Sequence, residues 1–304
     1  MEWKNKPIAE CRFRNSELNS EIRNPKSEFK KCMGKIEKKK VWTALLIIPP
    51  FVLLVALGPS ILFTLMVLIT IILGLLEFNT LALPQSGKIE RLIGLGLGLI
   101  LSIFFAHGEP ESFPPFLVLT LLILSVLYMV TSENLSSVIS NLGMTFFGIF
   151  YVGFLLSHII LIRSQTDGRV WVLFLIITVW AGDIIALFSG TLFGKHKLYP
   201  KISPNKTYEG LLGAIAGSVI IGLLFAFFFL PYFNKGICIL VTIGMGILGQ
   251  LGDFTESMLK RSAQVKDSGS LFPGHGGVLD RIDSFLFSTP FLCYLLPLFS
   301  KETP

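Results

Sequence analysis

Residues 257–283 read SMLKRSAQVKDSGSLFPGHGGVLDRID, a polar interval with a long apolar stretch on either side. Lys260, Arg261, Lys266 and Arg281 stand here against Asp267, Asp280 and Asp283, with Asp253 just upstream. A linker between two apolar helices needs polarity and turn residues, but not acids and bases at this density. Nor does it need the run Pro273-Gly274-His275-Gly276-Gly277, whose glycines let backbone approach a bound group closely. Carboxylates beside fixed cations, at the edge of apolar segments, point to a divalent cation and a phosphate-rich ligand.

The flanking stretches set the fold. The chain has 304 residues, 52% hydrophobic and 15% charged, too little charge to cover a soluble protein of this size. Against a requirement of about 20 apolar residues per crossing, candidate spans fall at 41–58, 60–78, 91–107, 115–132, 142–162, 170–189, 210–233, 236–256 and 284–300. The expected fold is all-α, a polytopic transmembrane helical bundle of about nine spans. Pro49-Pro50 and Gly58-Pro59 make a kinked or re-entrant hairpin an alternative for the first pair. The chain divides into a basic tail (1–40), N-terminal spans (41–169) and a C-terminal region (170–304) holding two charged loops, 190–209 and 257–283. The tail carries twelve of the 26 Lys and Arg and six acids. It reads as a cytosolic extension, too long and polar for a signal-peptide n-region.

Lys and Arg orient such a bundle. With the N-terminus inside, only Arg163, Arg169, Lys235 and Lys301 fall outside, four against 22. Both charged loops then share the cytosolic face. Cys11, Cys32, Cys238 and Cys293 form no C-x-x-C or disulfide framework, in keeping with a reducing cytosolic side.

Asp183 in the sixth segment, and Asp253 and Glu256 in the eighth, are ionisable groups in apolar helices, where a charge is costly and is paired or functional. Should the eighth helix continue outward, Asp253, Ser257, Lys260 and Gln264 share one face by their spacing. Asp280 and Asp283, three apart, project together from a first helical turn as metal ligands. The same positions would also suit an N-cap and a first-turn acid. No His/Cys set has zinc spacing, so an oxygen-ligated ion such as magnesium fits better. In the other loop, Gly190 through His196 imitates a P-loop but is one residue short and lacks a Ser or Thr after Lys195. Ser203 and Thr207 are candidate N-caps, and with Lys206 they offer hydroxyls and a cation to phosphate at a helix start.

The run Ser257-x-x-Lys260-Arg261-x4-Lys266-Asp267-x-Gly269-x-x-Phe272-Pro273-x-His275-Gly276-Gly277-x-x-Asp280-Arg281-x-Asp283 resembles the signature of the phosphatidate cytidylyltransferases, the CDP-diacylglycerol synthases. Asp183, Gly190, Phe193-Gly194-Lys195 and Ser203-Pro204-x-Lys206-Thr207-x-Glu209-Gly210 extend the likeness upstream. Ile184, Leu187 and Asn205 depart from residues more usual in that family.

The resemblance implies an all-helical membrane enzyme of the bacterial inner membrane that joins CTP to phosphatidate. Its products would be CDP-diacylglycerol and pyrophosphate, and its cofactor Mg2+, with K+ a candidate for a second metal position. Asp253, Asp280 and Asp283 would hold metal, with Asp267 a fourth candidate. Lys260, Arg261, Lys266 and Arg281 would hold phosphate, with Asp267 and His275 also in the catalytic set. Ser203, Lys206, Thr207, Ser257, Gly276 and Gly277 would bind substrate. Membrane lipids are the expected surroundings, a homodimer is one assembly it allows, and no nucleic acid is expected. The competing readings are a CTP-dependent lipid or polyprenol kinase and a secondary transporter with intramembrane carboxylates.

Overall fold

A computed structural model describes residues 49–84, 86–107, 113–132, 134–271 and 276–299. The basic tail, Cys11, Cys32 and His275 lie outside the described residues.

The described chain is helical apart from one small hairpin. The described part of α1 is 49–57. Then come α2 (Ser60–Ala82), α3 (Lys88–His107), α4 (Phe113–Thr131) and α5 (Leu135–Ser164). The C-terminal region holds α6 (Gly168–Phe193), β1 (Lys197–Tyr199), β2 (Ser203–Thr207), α7 (Tyr208–Phe229), α8 (Lys235–Ser262) and α9 (Leu279–Phe299). Six helices among the described residues have the length and apolarity of a span: α2, α4, α5, α6, α7 and α8. The expected nine are thus not all matched. The first turns of α3 and α9 are charged, with Lys88, Glu90 and Arg91 in one and Asp280, Arg281 and Asp283 in the other.

Local chemistry places the breaks. Pro59, in extended backbone, separates α1 from α2, because a proline cannot supply the amide an uninterrupted helix needs there. Asn134 and Asn234 cap α5 and α8, accepting amides of Ser136 and of Gly236 and Ile237. Within α5, Ile149–Phe154 forms a π segment, a rare insertion that is frequent at functional sites.

In lipid, helices associate through close packing and a few polar links rather than the hydrophobic effect. Small residues accordingly line α6 and α7. Gly182 faces Ser218, Gly190 faces Gly210, and Gly213 faces Ser189. Likewise Gly249 and Gly252 of α8 lie against Ser284 and the main chain of Asp283 in α9. The lipid-facing α4 buries just Thr120, Leu124 and Tyr128, and Tyr128 is tied to Thr145 of α5 by a 2.7 Å hydroxyl pair. Gly74 of α2 packs against Val152 of α5 and Ile282 of α9. That contact brings the first half of the chain to the polar interval.

The 190–209 segment departs from the expected loop. Helix α6 runs through Phe193, so Gly190 is helical, and β1 and β2 form an antiparallel hairpin pairing Lys197 with Thr207 and Tyr199 with Ser203. Its short strands carry no hydrophobic alternation to announce them.

Candidate active site

Helix α8 continues to Ser262, so Asp253, Glu256, Ser257 and Lys260 recur on one side of its last turns. Gln264, at φ 58°, then turns the chain out of the helix. It returns through Gly276, at φ 82°, a conformation glycine adopts without strain. Asp280 and Asp283 follow in the first turns of α9.

Three carboxylates meet where α8 crosses α9. Ligand atoms of Asp253, Glu256 and Asp283 lie within 4.8 Å of one another. Glu256 is fully buried, and its Oε1 has no hydrogen-bond partner among the described residues. Buried carboxylates repel unless a cation offsets them. Two lysines do so in part: Lys206 reaches Asp253 Oδ2 at 2.7 Å, and Lys260 pairs with Glu256. An all-oxygen set with an unused buried carboxylate oxygen fits a hard divalent cation.

Lys260 also donates to Asp280 Oδ1 at 2.6 Å. The other oxygen of Asp280 accepts the amides of Ser268 (2.9 Å) and Gly277 (2.8 Å) and the Ser268 hydroxyl (2.9 Å). Asp280 thus orders the loop and ties it to α8; lying inside α9 and accepting amides only from upstream of it, Asp280 is not that helix's N-cap, and it stands outside the three-carboxylate group.

A second carboxylate orders the same loop from far away in sequence. Glu77 of α2 accepts the amides of Val278 (2.9 Å) and Leu279 (2.8 Å) and, at 3.0 Å, shares with Asp280 the single proton of the Ser268 hydroxyl. It caps the start of α9 from another helix, satisfying amides that a helix N-terminus leaves without partners. A Cβ on Gly277 would strike the Glu77 carboxylate and the Ser268 hydroxyl, and one on Gly276 would strike Asp280. The paired glycines are therefore required by the two carboxylates that grip the turn. Sequence reasoning passed over Glu77, although it is the single ionisable residue of α2 and an acid in such a helix signals function or pairing.

The hairpin supplies the other wall. Lys206 lies 4.1 Å from the centre of the Phe254 ring as well as on Asp253. Thr207 is the N-cap of α7, its hydroxyl accepting Gly210 N–H at 3.1 Å, while Ser203 sits in β2. Arg261 binds the carbonyls of Ile202 (3.2 Å) and Val265 (3.1 Å), joining the hairpin to the end of α8. Asp183 accepts Gln250 Nε2 at 3.0 Å, beside the cluster. Ser257 is buried and donates to Asp253 at 3.4 Å. Lys266, Asp267 and Arg281 are exposed. The structure therefore brings Asp253, Asp283, Ser257, Lys206 and Lys260 together and adds Glu256. It leaves Lys266, Asp267 and Arg281 on the rim.

Comparison with known proteins places the chain in a family. Residues 38–299 match the cytidylyltransferase family. A phosphatidate cytidylyltransferase of Bacillus subtilis is 34% identical over 273 residues, which is 86% of this chain and 98% of that one. One from Staphylococcus aureus is 36% identical over 231 residues, covering 74% and 87% respectively. One from Staphylococcus haemolyticus is 43% identical over 169 residues, covering 56% and 64%. On the match over nearly its whole length, the chain belongs to the cytidylyltransferase family and is a nucleotidyltransferase.

Proposed function

We propose that this enzyme transfers the CMP moiety of CTP to phosphatidate, giving CDP-diacylglycerol and pyrophosphate, with Mg2+ as cofactor. The observation that carries this reading is the meeting of Asp253, Glu256 and Asp283 beside Lys206 and Lys260, in a chain whose relatives bear the phosphatidate cytidylyltransferase name. A phosphate oxygen of phosphatidate attacks the α-phosphorus of CTP, the new P–O bond forms, and the bond to the β-phosphate oxygen breaks. A phosphate monoester is already nucleophilic, so no general base is needed. The protein positions the two phosphates and offsets charge, as in phosphoryl transfer generally.

Asp253, Asp283 and Glu256 are the residues that would hold Mg2+, with Asp280 joining them in exchange for its bond to Lys260. The ion's chemistry there is to neutralise carboxylate and phosphate charge. Lys260 neutralises Glu256 and Asp280, and with that charge offset by a cation its ammonium would be free to turn toward substrate phosphate. Lys206, Lys266, Arg261 and Arg281 add cations around it. Ser203, Thr207, Ser257 and the Gly276-Gly277 amides border the phosphates, and Asp267 and His275 belong to the same loop. A second position suited to K+ is part of the proposal, with Asp183, bonded to Gln250 of α8, as its candidate carboxylate. The cytosolic face of the bacterial inner membrane, nine crossings with the N-terminus inside, and a homodimer complete it.

Incubation of purified protein with phosphatidate, base-labelled CTP and Mg2+ tests the reading. Label should enter the lipid phase only when all three are present. Unlabelled lipid carrying a new phosphate would point to a kinase instead.

A further inference from the structure

Tyr151 is a buried hydroxyl that the functional site described so far does not use. Its side chain is 1% exposed, and its oxygen has no hydrogen-bond partner among the described residues. Such a hydroxyl, dehydrated and unpaired, is costly, and in a native fold it needs a reason. Three observations supply one.

The backbone beneath it is irregular. Tyr151 is the third residue of the π segment Ile149–Phe154 in α5, where one extra residue in the turn redirects side chains from their α-helical positions. Its ring is also fixed. It stacks on Phe147 at 5.2 Å and meets Phe287 edge-on at 6.0 Å. Phe287 lies one helical turn beyond Asp283 on α9, and the neighbouring Val152 packs near the Gly74 contact with Ile282. Burial dominates the setting of the hydroxyl, and the charged groups within electrostatic reach of it are Asp283, Glu256 and Asp253, the three that form the cluster.

We infer that Tyr151 is a positioning residue of the cation site: its hydroxyl bonds a water of the hydrated divalent cation held by Asp253, Glu256 and Asp283. Magnesium keeps several of its waters when protein-bound and needs partners for them, and a phenol can both accept from such a water and donate to a carboxylate. No side chain on α8 or α9 is needed for this role. The π segment brings it from the N-terminal half, so that half helps to build the site as well as to span the membrane. The inference rests on the magnesium reading above.

The test is Tyr151→Phe, which keeps both ring contacts and removes one oxygen. Detergent-purified, chelator-stripped protein is titrated with MgCl2, and thermal unfolding is followed by tryptophan fluorescence. Without Mg2+ the variant should unfold at the wild-type temperature or slightly above, since an unpaired hydroxyl has been removed. The Mg2+ concentration giving half of the stabilisation should rise about tenfold, the scale seen when a partner behind a metal site is lost. An unchanged midpoint in a variant that responds to Mg2+ like wild type would overturn this role and leave the magnesium reading standing. No Mg2+ response in wild type would overturn both. Should Tyr151→Phe be unstable without Mg2+, the hydroxyl has a structural partner and the inference fails.

Discussion

The Oε2 of Glu77 accepts the amide of Leu279 at 2.8 Å, so the second helix of the bundle caps the last one across 202 residues of sequence. Glu77→Gln keeps one acceptor but faces an amide donor toward Ser268 or the α9 amides. It should lower stability by about 1–3 kcal/mol and loosen the loop. Limited proteolysis between 263 and 278 should accelerate in Glu77→Gln, and more so in Glu77→Ala. Wild-type cleavage in both would remove Glu77 from the account.

Asp280 and Asp283 sit one turn apart and should fail differently. Asp280 holds Lys260 and three loop donors, so Asp280→Asn should destabilise the metal-free protein by about 2 kcal/mol or more. Asp283→Asn relieves crowding among three carboxylates. Its metal-free stability should hold or rise, while stabilisation by Mg2+ disappears. Turnover should fall by about a hundredfold in both. Chemical unfolding with and without Mg2+ separates them, and a common stability loss in both variants would undo the distinction.

Gly277 has room for no side chain. Gly277→Ala places a methyl group against Glu77 and Ser268, and Gly276→Ala adds strain at φ 82° of about 1 kcal/mol or more. Both should lower activity, with Gly277→Ala the worse because it displaces two ordering groups at once. Steady-state rates of the two variants against wild type check the order.

The uneven division of basic residues, 22 against 4, predicts that Ser203 and Ser270 face the cytosol. In a background lacking Cys11, Cys32, Cys238 and Cys293, Ser203→Cys and Ser270→Cys should resist an impermeant thiol reagent in intact cells. They should react after permeabilisation. Labelling from outside at either position would reverse the orientation.

The helical fold was legible because lipid demands long apolar runs, and these are local properties of the sequence. The number of crossings was less so, since charged first turns at Lys88–Arg91 and Asp280–Asp283 blur where a span begins. In the site, Asp253, Ser257 and Lys260 could be aligned by helical spacing alone. Glu256 was visible as an acid in an apolar helix, but its place facing Asp283 is set by the α8–α9 crossing, which Gly249 and Gly252 permit. Glu77 and Tyr151 act through contacts more than a hundred residues away, where spacing carries no signal. Likewise nothing local distinguishes Asp280, which binds the loop, from Asp283, which joins the carboxylate group.

The central claim concerns which phosphorus of CTP is transferred. Purified enzyme is given phosphatidate, Mg2+ and CTP labelled at either the α- or the γ-phosphorus, with Asp283→Asn run alongside. α-Label should enter the lipid one for one with pyrophosphate released, γ-label should stay in the aqueous phase as pyrophosphate, and Asp283→Asn should do neither. Transfer of γ-label to lipid, or release of orthophosphate in place of pyrophosphate, would contradict it.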